Sequence, residues 1–292
     1  MMKKEKQFKA IKVSELSAVE MARLLTSTVT PRPIALVSSI DAEGRVNLSP
    51  FSFFNVFSMN PPILVFSPSR RVRDNTTKHT LDNVLEHSEV VIHLVTTDIV
   101  EQTSLASTEY ASGVNEFIKA GFTAMPSLVV APPRVAESPV AFECKVQKIV
   151  PLGKDGGAGN LVICEVLMMH VDTDIIKNGE IAPLDLNTVA RLGQNLYSKF
   201  KDDTIFDIEK PLTTKGIGID KLPKYIVMSS VLTGNDLAKL ANVEQLPSLE
   251  FDGNLQELDG LKRLKRHQKA QKYLRKNEIA LAWQILLYAE EI

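Results

Sequence analysis

The 292-residue sequence predicts a mainly β fold followed by a helical C-terminal extension, and three observations carry that prediction. Runs rich in β-branched and aromatic residues recur between Ile34 and Ser69, each ended by Gly, Pro or Asn. Two further apolar runs, PVAFECKVQKIVPL and NLVICEVLMMHV, flank the glycine-rich turn KDGGAG at 154–159 and read as a hairpin. From Leu255 to Glu291 both periodicity and propensity turn helical.

Element by element, Ser17-x-x-Glu20 has the spacing of a capping box and opens a short helix within residues 14–25. The segments PIALVSSID, RVNLSPFSFFNVFS and PPILVFSPS are expected to form an antiparallel meander. Leu81, Val84 and Leu85 stand at helical spacing within residues 78–88, and EVVIHLVT is a near-continuous apolar run expected as a buried strand. Residues 98–121 read as helix up to a stop at Gly121. Beyond Tyr197, KFKDDTIFDIEKP is charged and irregular and GIGIDKLP is a turn-rich connector, so residues 1–200 are expected to form one β domain and residues 201–292 a largely helical extension.

Composition narrows the function classes. Thirty-four basic against 35 acidic residues leave a net charge of −1, so the molecule lacks the long-range positive field of a dedicated nucleic-acid binder. Its two cysteines, Cys144 and Cys164, have no CxxC spacing and no nearby histidine cluster, which argues against a metal site and for a reducing compartment. The N-terminal lysines lead into further charge rather than an apolar stretch, and no run of eighteen apolar residues occurs. The expectation is a cytoplasmic protein without membrane contact.

The chemistry is expected within residues 30–80. The segment from Asn47 to Asn55 interleaves hydroxyls and amides with aromatic rings, which suits a planar, partly polar ligand; it also suits a strand with hydrogen-bonded surface serines. Arg70, Arg71 and Arg73 precede a hydroxyl-rich stretch, 74–80, at a helix start, where free N–H groups and cations suit a phosphate. The alternative is a solvated loop with a Thr N-cap. GxxxxGK[ST] is absent, so this is not a P-loop.

These residues carry a family resemblance. The string PRPIALVSSIDAEGRVNLSPFSFFNVFSMNPPILVFSPS at 31–69 resembles the opening of the flavin reductase-like and flavoredoxin-like family, with its RP-[IV]-A-L-V-S, G-x-x-N-x-[AS]-P-[FY]-S and D/N-P-P pieces. Lys78-His79-Thr80 stands where that family has Lys-Asp-Thr, SPVAFECKV follows, and VARLGQNLY at 189–197 resembles its [SA]-R-[LF]-G-G-x-x-Y stretch. His79 and Gln194 are the departures.

The resemblance implies an FMN-binding split β-barrel, as a homodimer with two FMN sites near the subunit interface. It implies that Ser49, Pro50, Phe51, Ser52, Phe66 and Ser67 line the flavin ring and ribityl chain. Lys78 and Thr80 would hold the phosphate, and Arg32, Arg191 and Tyr197 would close the site. The implied activity is reduction of FMN by NADH or NADPH, with electrons passed to a second acceptor such as a redox protein. No single side chain is then expected to be indispensable to chemistry, because the flavin carries it. No GxGxxG follows a strand, so the nicotinamide would bind directly over the flavin. The alternatives are an oxidase resembling the pyridoxamine-phosphate-oxidase barrels and a non-catalytic, flavoredoxin-like carrier.

Other residues are read as structural. His93 lies within an apolar strand and is expected to have a satisfied ring, and His87, His170 and His267 lack metal-type spacing. Cys144 and Cys164 are expected to be buried. Residues 262–276 hold eight Lys or Arg, read as a solvated helix face rather than an anion-binding surface. Leu261, Leu264, Tyr273, Leu274, Ile279, Trp283, Leu286 and Leu287 form an apolar stripe expected to pack on the barrel or a second subunit.

Overall fold

The computed structural model describes residues 7–201, 204–208, 210, 215–247 and 258–288. Described residues from Lys9 to Phe206 form one compact unit and those from Asp207 onward belong to a second. Part of the irregular segment expected after Tyr197 lies outside the described residues.

In the first unit, helix α1 (Ala18–Thr28) begins at the expected capping box: Ser17 Oγ accepts from the Glu20 N–H and the Glu20 carboxylate accepts from the Ser17 N–H. Strands β1 (Ala35–Ile40), β2 (Val46–Phe51), β3 (Phe54–Met59) and β4 (Pro62–Phe66) precede helix α2 (His79–Glu86) and strand β5 (Glu89–Leu94). Helices α3 (Val100–Leu105) and α4 (Glu116–Ala120) follow, then a ribbon of β6 (Ala124–Met125) and β7 (Arg134–Val135). The expected hairpin is β8 (Val140–Pro151) with β9 (Asn160–Val171). Two small ribbons end the unit: β10 (Ile176–Lys177) with β11 (Glu180–Ile181), and β12 (Val189–Arg191) with β13 (Tyr197–Lys199).

Seven strands pair antiparallel in the order β2-β1-β5-β8-β9-β4-β3. The expected meander therefore breaks between β2 and β3, which do not pair but stand at opposite edges of the sheet. Only Ser52 and Phe53 separate them in the chain. Three peptide steps reach at most about 11 Å, so the sheet must curl until its two edges meet at that link. The Ser67 N–H donates to the Phe53 carbonyl at 2.9 Å and fixes the link to the end of β4.

Curling gives β1 two buried faces, and all six of its residues are buried. Ala35 and Val37 face an interior shared with Phe51, Phe66, Ile92 and, from α2, Leu81 and Val84. Leu36 and Leu48 face outward under Ile99 and Phe117. Cys144 and Cys164 belong to the interior, where burial pushes the Cys144 thiol up to about 12 and raises Cys164 as well.

The helix expected over 98–121 is two short helices. Between them Ser107 Oγ donates to the Ser104 carbonyl, Gly113 takes a φ of +82°, and Asn115 accepts from the Phe117 N–H to start α4 afresh. Gly121 ends α4 in the left-handed region, as expected. His93 is satisfied on both nitrogens: Val135 N–H donates to Nε2 at 2.9 Å, so Nδ1 carries the proton and donates to the Leu36 carbonyl at 2.8 Å. Burial pulls its pKa down to about 4. His170 Nε2 lies 2.6 Å from the buried Glu143 carboxylate, which also accepts from the N–H groups of Leu128, Val129 and Val130. Burial alone would raise the Glu143 pKa; these donors outweigh it and lower it.

The second unit contains α5 (Lys224–Val227), α6 (Gly234–Ala241), α7 (Arg263–Arg275) and α8 (Ile279–Leu287). The helix expected from 255 is interrupted by Asn277 at a φ of +64°, which turns α7 into α8; residues 248–257 and 289–292 lie outside the described ones. The apolar stripe packs differently from expectation. Leu274, Trp283, Leu286 and Leu287 bury against Ile226, Leu237 and Leu240 of the same unit, because α5 and α6 supply a facing apolar surface, while Leu264 stays half exposed.

Two outcomes follow. Leu274→Ala should destabilise the helical unit by about 2–5 kcal/mol, read by denaturant titration of the fluorescence of Trp283, the only tryptophan in the chain. For His93 the folded pKa of about 4 lies below the ordinary 6.5, so on acidification the unfolded chain binds the proton first. Its contribution is complete above pH 6.5 and is lost as pH falls toward 4, about 3 kcal/mol in all. Urea unfolding of the wild type and of His93→Gln across that window should show a flatter pH dependence for the variant.

Candidate functional site

The edge link is where polar groups collect. β2 ends with Ser49, Pro50 and Phe51, and because it is an edge strand Pro50 removes no ladder bond that the sheet needs. Phe51 stacks at 5.1 Å on Phe66 beneath the surface, and Lys78 Nζ lies 5.3 Å from the Phe51 ring. A cavity of about 560 Å3 opens over this floor, lined by Phe51, Ser52, Ser67, Lys78, Arg191 and Arg23 of α1 among others. That volume falls in the range of whole-ligand sites. Two smaller cavities adjoin it. One of about 210 Å3 shares Pro50, Phe51, Ser52 and Arg191 and adds Thr103 and Tyr197. One of about 30 Å3 lies at the start of α2 and shares Lys78.

Close backbone approaches build the walls. A Cβ on Gly159 would stand 2.7 Å from Ser67 Oγ, so glycine lets the β8–β9 turn pack against the cleft. A Cβ on Gly193 would stand 2.5 Å from Ser27 Oγ, so the β12–β13 turn can lie on α1. In that same turn Gln194 sits at a φ of +56°, which explains why the resembling family has glycine there.

Of the cations, most are engaged in structure. Arg32 is buried; its guanidinium donates to the carbonyls of Thr26, Val29 and Leu192 at 2.6, 2.6 and 2.9 Å, and its backbone bridges Arg191. Arg32 thus ties the end of α1 to the β12–β13 turn, and burial followed by the nearby Arg191 lowers its pKa. Arg70 is held by Asn75, while Arg71 and Arg73 both reach Glu109. Arg191 stacks on Tyr197 at 4.5 Å and donates to the Gln194 carbonyl at 2.6 Å. Lys78 differs: among the described residues its ammonium makes no hydrogen bond or ion pair. Burial, then Arg71, pushes its pKa below the usual lysine range. As the N-cap of α2 it stands beside that helix's unbonded first N–H groups.

Thr80 is fully buried on α2, and its hydroxyl accepts from Asn47 Nδ2 at 2.8 Å, which leaves the hydroxyl hydrogen for another acceptor. The structure therefore brings Arg32, Ser49, Pro50, Phe51, Ser52, Ser67, Lys78, Thr80, Arg191 and Tyr197 around one set of adjoining cavities. Phe66 is the exception among the expected residues: its ring is fully buried in the barrel interior behind Phe51. Arg23, Thr103 and Glu109 also line these cavities and were not expected from the sequence, because each arrives on an element remote from the 30–80 segment or at its margin. Among the described residues no group of three or more His, Cys, Asp or Glu is placed to hold a metal ion.

Comparison with known proteins places this site in a family context. The family description "Flavin reductase like domain" matches residues 27–186. An uncharacterised protein of Halalkalibacterium halodurans is 38% identical over 198 residues, covering 67% of this chain and 93% of the relative. The crystal structure of nitrilotriacetate monooxygenase component B from Bacillus cereus superposes with a TM-score of 0.66 at 29% identity, covering 70% of this chain and 100% of that one. The Pseudomonas fluorescens 2-nitrobenzoate 2-nitroreductase NbaA gives a TM-score of 0.63 at 29% identity, covering 72% and 100%.

Proposed function

Because the chain belongs to the flavin reductase-like family and carries its split-barrel fold, we propose that it binds FMN in the cleft at the edge link and works as an NAD(P)H-dependent flavin reductase or related oxidoreductase. The observation that carries this reading is Lys78, a partly buried cation at a helix start that makes no ion pair among the described residues, beside a cavity of about 560 Å3 lined by the Phe51 ring. A partly buried unpaired charge is costly unless an anion joins it.

The residues fit an FMN. Lys78, the first N–H groups of α2 and the Thr80 hydroxyl would hold its phosphate. Ser49 to Ser52 and Ser67 would line the ring and ribityl chain with backbone and hydroxyl donors, and Arg191 on Tyr197 would close the far side. Bound flavin supplies the hydride and electron transfer, which no side chain here can provide. Donors beside the ring edge would stabilise the negative charge that reduction adds to the flavin.

The same reading assigns the flavin unit to residues 1–200 and treats residues 201–292 as an appended helical unit. The unpaired edge of β3 exposes Val56, Phe57 and Met59, the last at 91%, a surface suited to a second copy of the chain. The protein acts in the cytoplasm and hands electrons to a second acceptor, which can be a redox protein. No described helix is long and apolar enough to cross a membrane. A second reading, a flavoredoxin-like carrier, is favoured by the lack of any GxGxxG nicotinamide-binding fingerprint in the sequence.

Purified protein with FMN should show a flavin absorbance band that NADH or NADPH bleaches without oxygen; a bound flavin that neither donor reduces would select the carrier. Lys78→Ala should weaken FMN binding by roughly tenfold or more while leaving riboflavin, which lacks the phosphate, bound as before. Equal FMN affinity in wild type and variant, measured by flavin fluorescence quenching, would place the phosphate elsewhere.

A further inference from the structure

Glu109 stands on the segment between α3 and α4 and reaches back to the loop before α2. It accepts from Arg71 Nε at 3.1 Å and from Arg73 Nη2 at 2.9 Å. Arg71, Lys78 and Glu109 line the same small cavity at the start of α2. Arg71 is largely buried, its side chain 18% exposed, whereas Glu109 is 52% exposed.

Two details separate competition from support. Arg71 does not need Glu109 to keep its place: its Nη1 donates to Thr76 Oγ1 at 3.0 Å and to the Thr77 carbonyl, and its backbone N–H closes the loop onto the Thr76 carbonyl at 2.9 Å. Lys78, whose ammonium makes no hydrogen bond or ion pair among the described residues, feels Arg71 as a repelling neighbour and Glu109 as the carboxylate that offsets it. One exposed carboxylate thus offsets the charge of Arg71, which its own loop otherwise holds in place.

Resting on the reading that Lys78 receives the flavin phosphate, we infer that Glu109 is a built-in counter-ion that competes with that phosphate for Arg71. It holds the preference for FMN over riboflavin below what the cations could give and keeps FMN exchangeable. The chemistry is a like-charge opposition: the phosphate is dianionic near neutral pH and approaches a site where a carboxylate already occupies the guanidinium edges.

The test is Glu109→Gln, which keeps the shape and removes the charge at a half-exposed position, so folding is not at stake. FMN and riboflavin are titrated separately by fluorescence quenching on wild type and variant. The variant should bind FMN roughly three- to fivefold more tightly, the upper range for a partly exposed ion pair, and release it more slowly, with riboflavin affinity unchanged. The gain should shrink at high salt. Unchanged or weaker FMN binding overturns the inference, since weakening makes Glu109 a positioning residue for Arg71; equal tightening of FMN and riboflavin overturns it too, as an effect outside the phosphate. If Lys78→Ala leaves FMN binding intact, the phosphate assignment fails first, and the two failures are distinguished.

Discussion

Two residues, Ser52 and Phe53, join the opposite edges of a seven-stranded sheet, and the rest of the β unit follows from that short connection. A link of so few peptide steps cannot span an open sheet, so the strands curl around an interior that α2 fills with Leu81 and Val84. Once the edges meet, β1 lies buried on both faces, and its outer side is covered by α3 and α4. The cleft exists because the two edges are joined without being paired: backbone and hydroxyl groups at the ends of β2 and β4 remain turned toward a cavity rather than toward a neighbouring strand.

The electrostatics of the cleft depend on which cations the fold engages. Arg32 is fully taken up by three carbonyls at the end of α1 and the β12–β13 turn. Arg70 and Arg71 stiffen the loop that leads into α2, and the β8–β9 turn grips that loop through the Arg70 backbone and Gly157 and Ala158. Lys78 differs from these: it lines the cavity, and among the described residues its ammonium makes no hydrogen bond or ion pair. The arginines at 70, 71 and 73 are therefore mostly engaged with their own loop and with Glu109.

The helical unit stands outside the region matched by the family, which ends at residue 186. Its core is its own: Trp283, Leu274, Leu240 and Ile226 are all essentially inaccessible. The basic run of α7 coexists with that core because His267, Ala270 and Leu274 face inward while Lys265, Lys272 and Arg275 face out.

The sequence by itself determined the local elements whose signals are local: the Ser17–Glu20 box, the 154–159 hairpin, the Gly121 stop, the satisfied ring of His93 and the buried cysteines. It also determined the family, because motif order along 31–197 survives without any knowledge of pairing. It did not determine that β2 and β3 part company, since strand partners are chosen by sheet closure rather than by adjacent residues. It misjudged 98–121, where side-chain hydrogen bonds and Gly113 outcompete helix propensity, and the packing of the C-terminal stripe, whose partner face lies on α5 and α6. Phe66 and Ser67 are neighbours in one motif, yet strand alternation sends one ring into the core and one hydroxyl to the cleft. Arg23, Thr103 and Glu109 join the site only because folding brings remote elements to one edge; a counter-ion more than thirty residues from its arginines leaves no spacing to read, and only the tertiary structure could pair them.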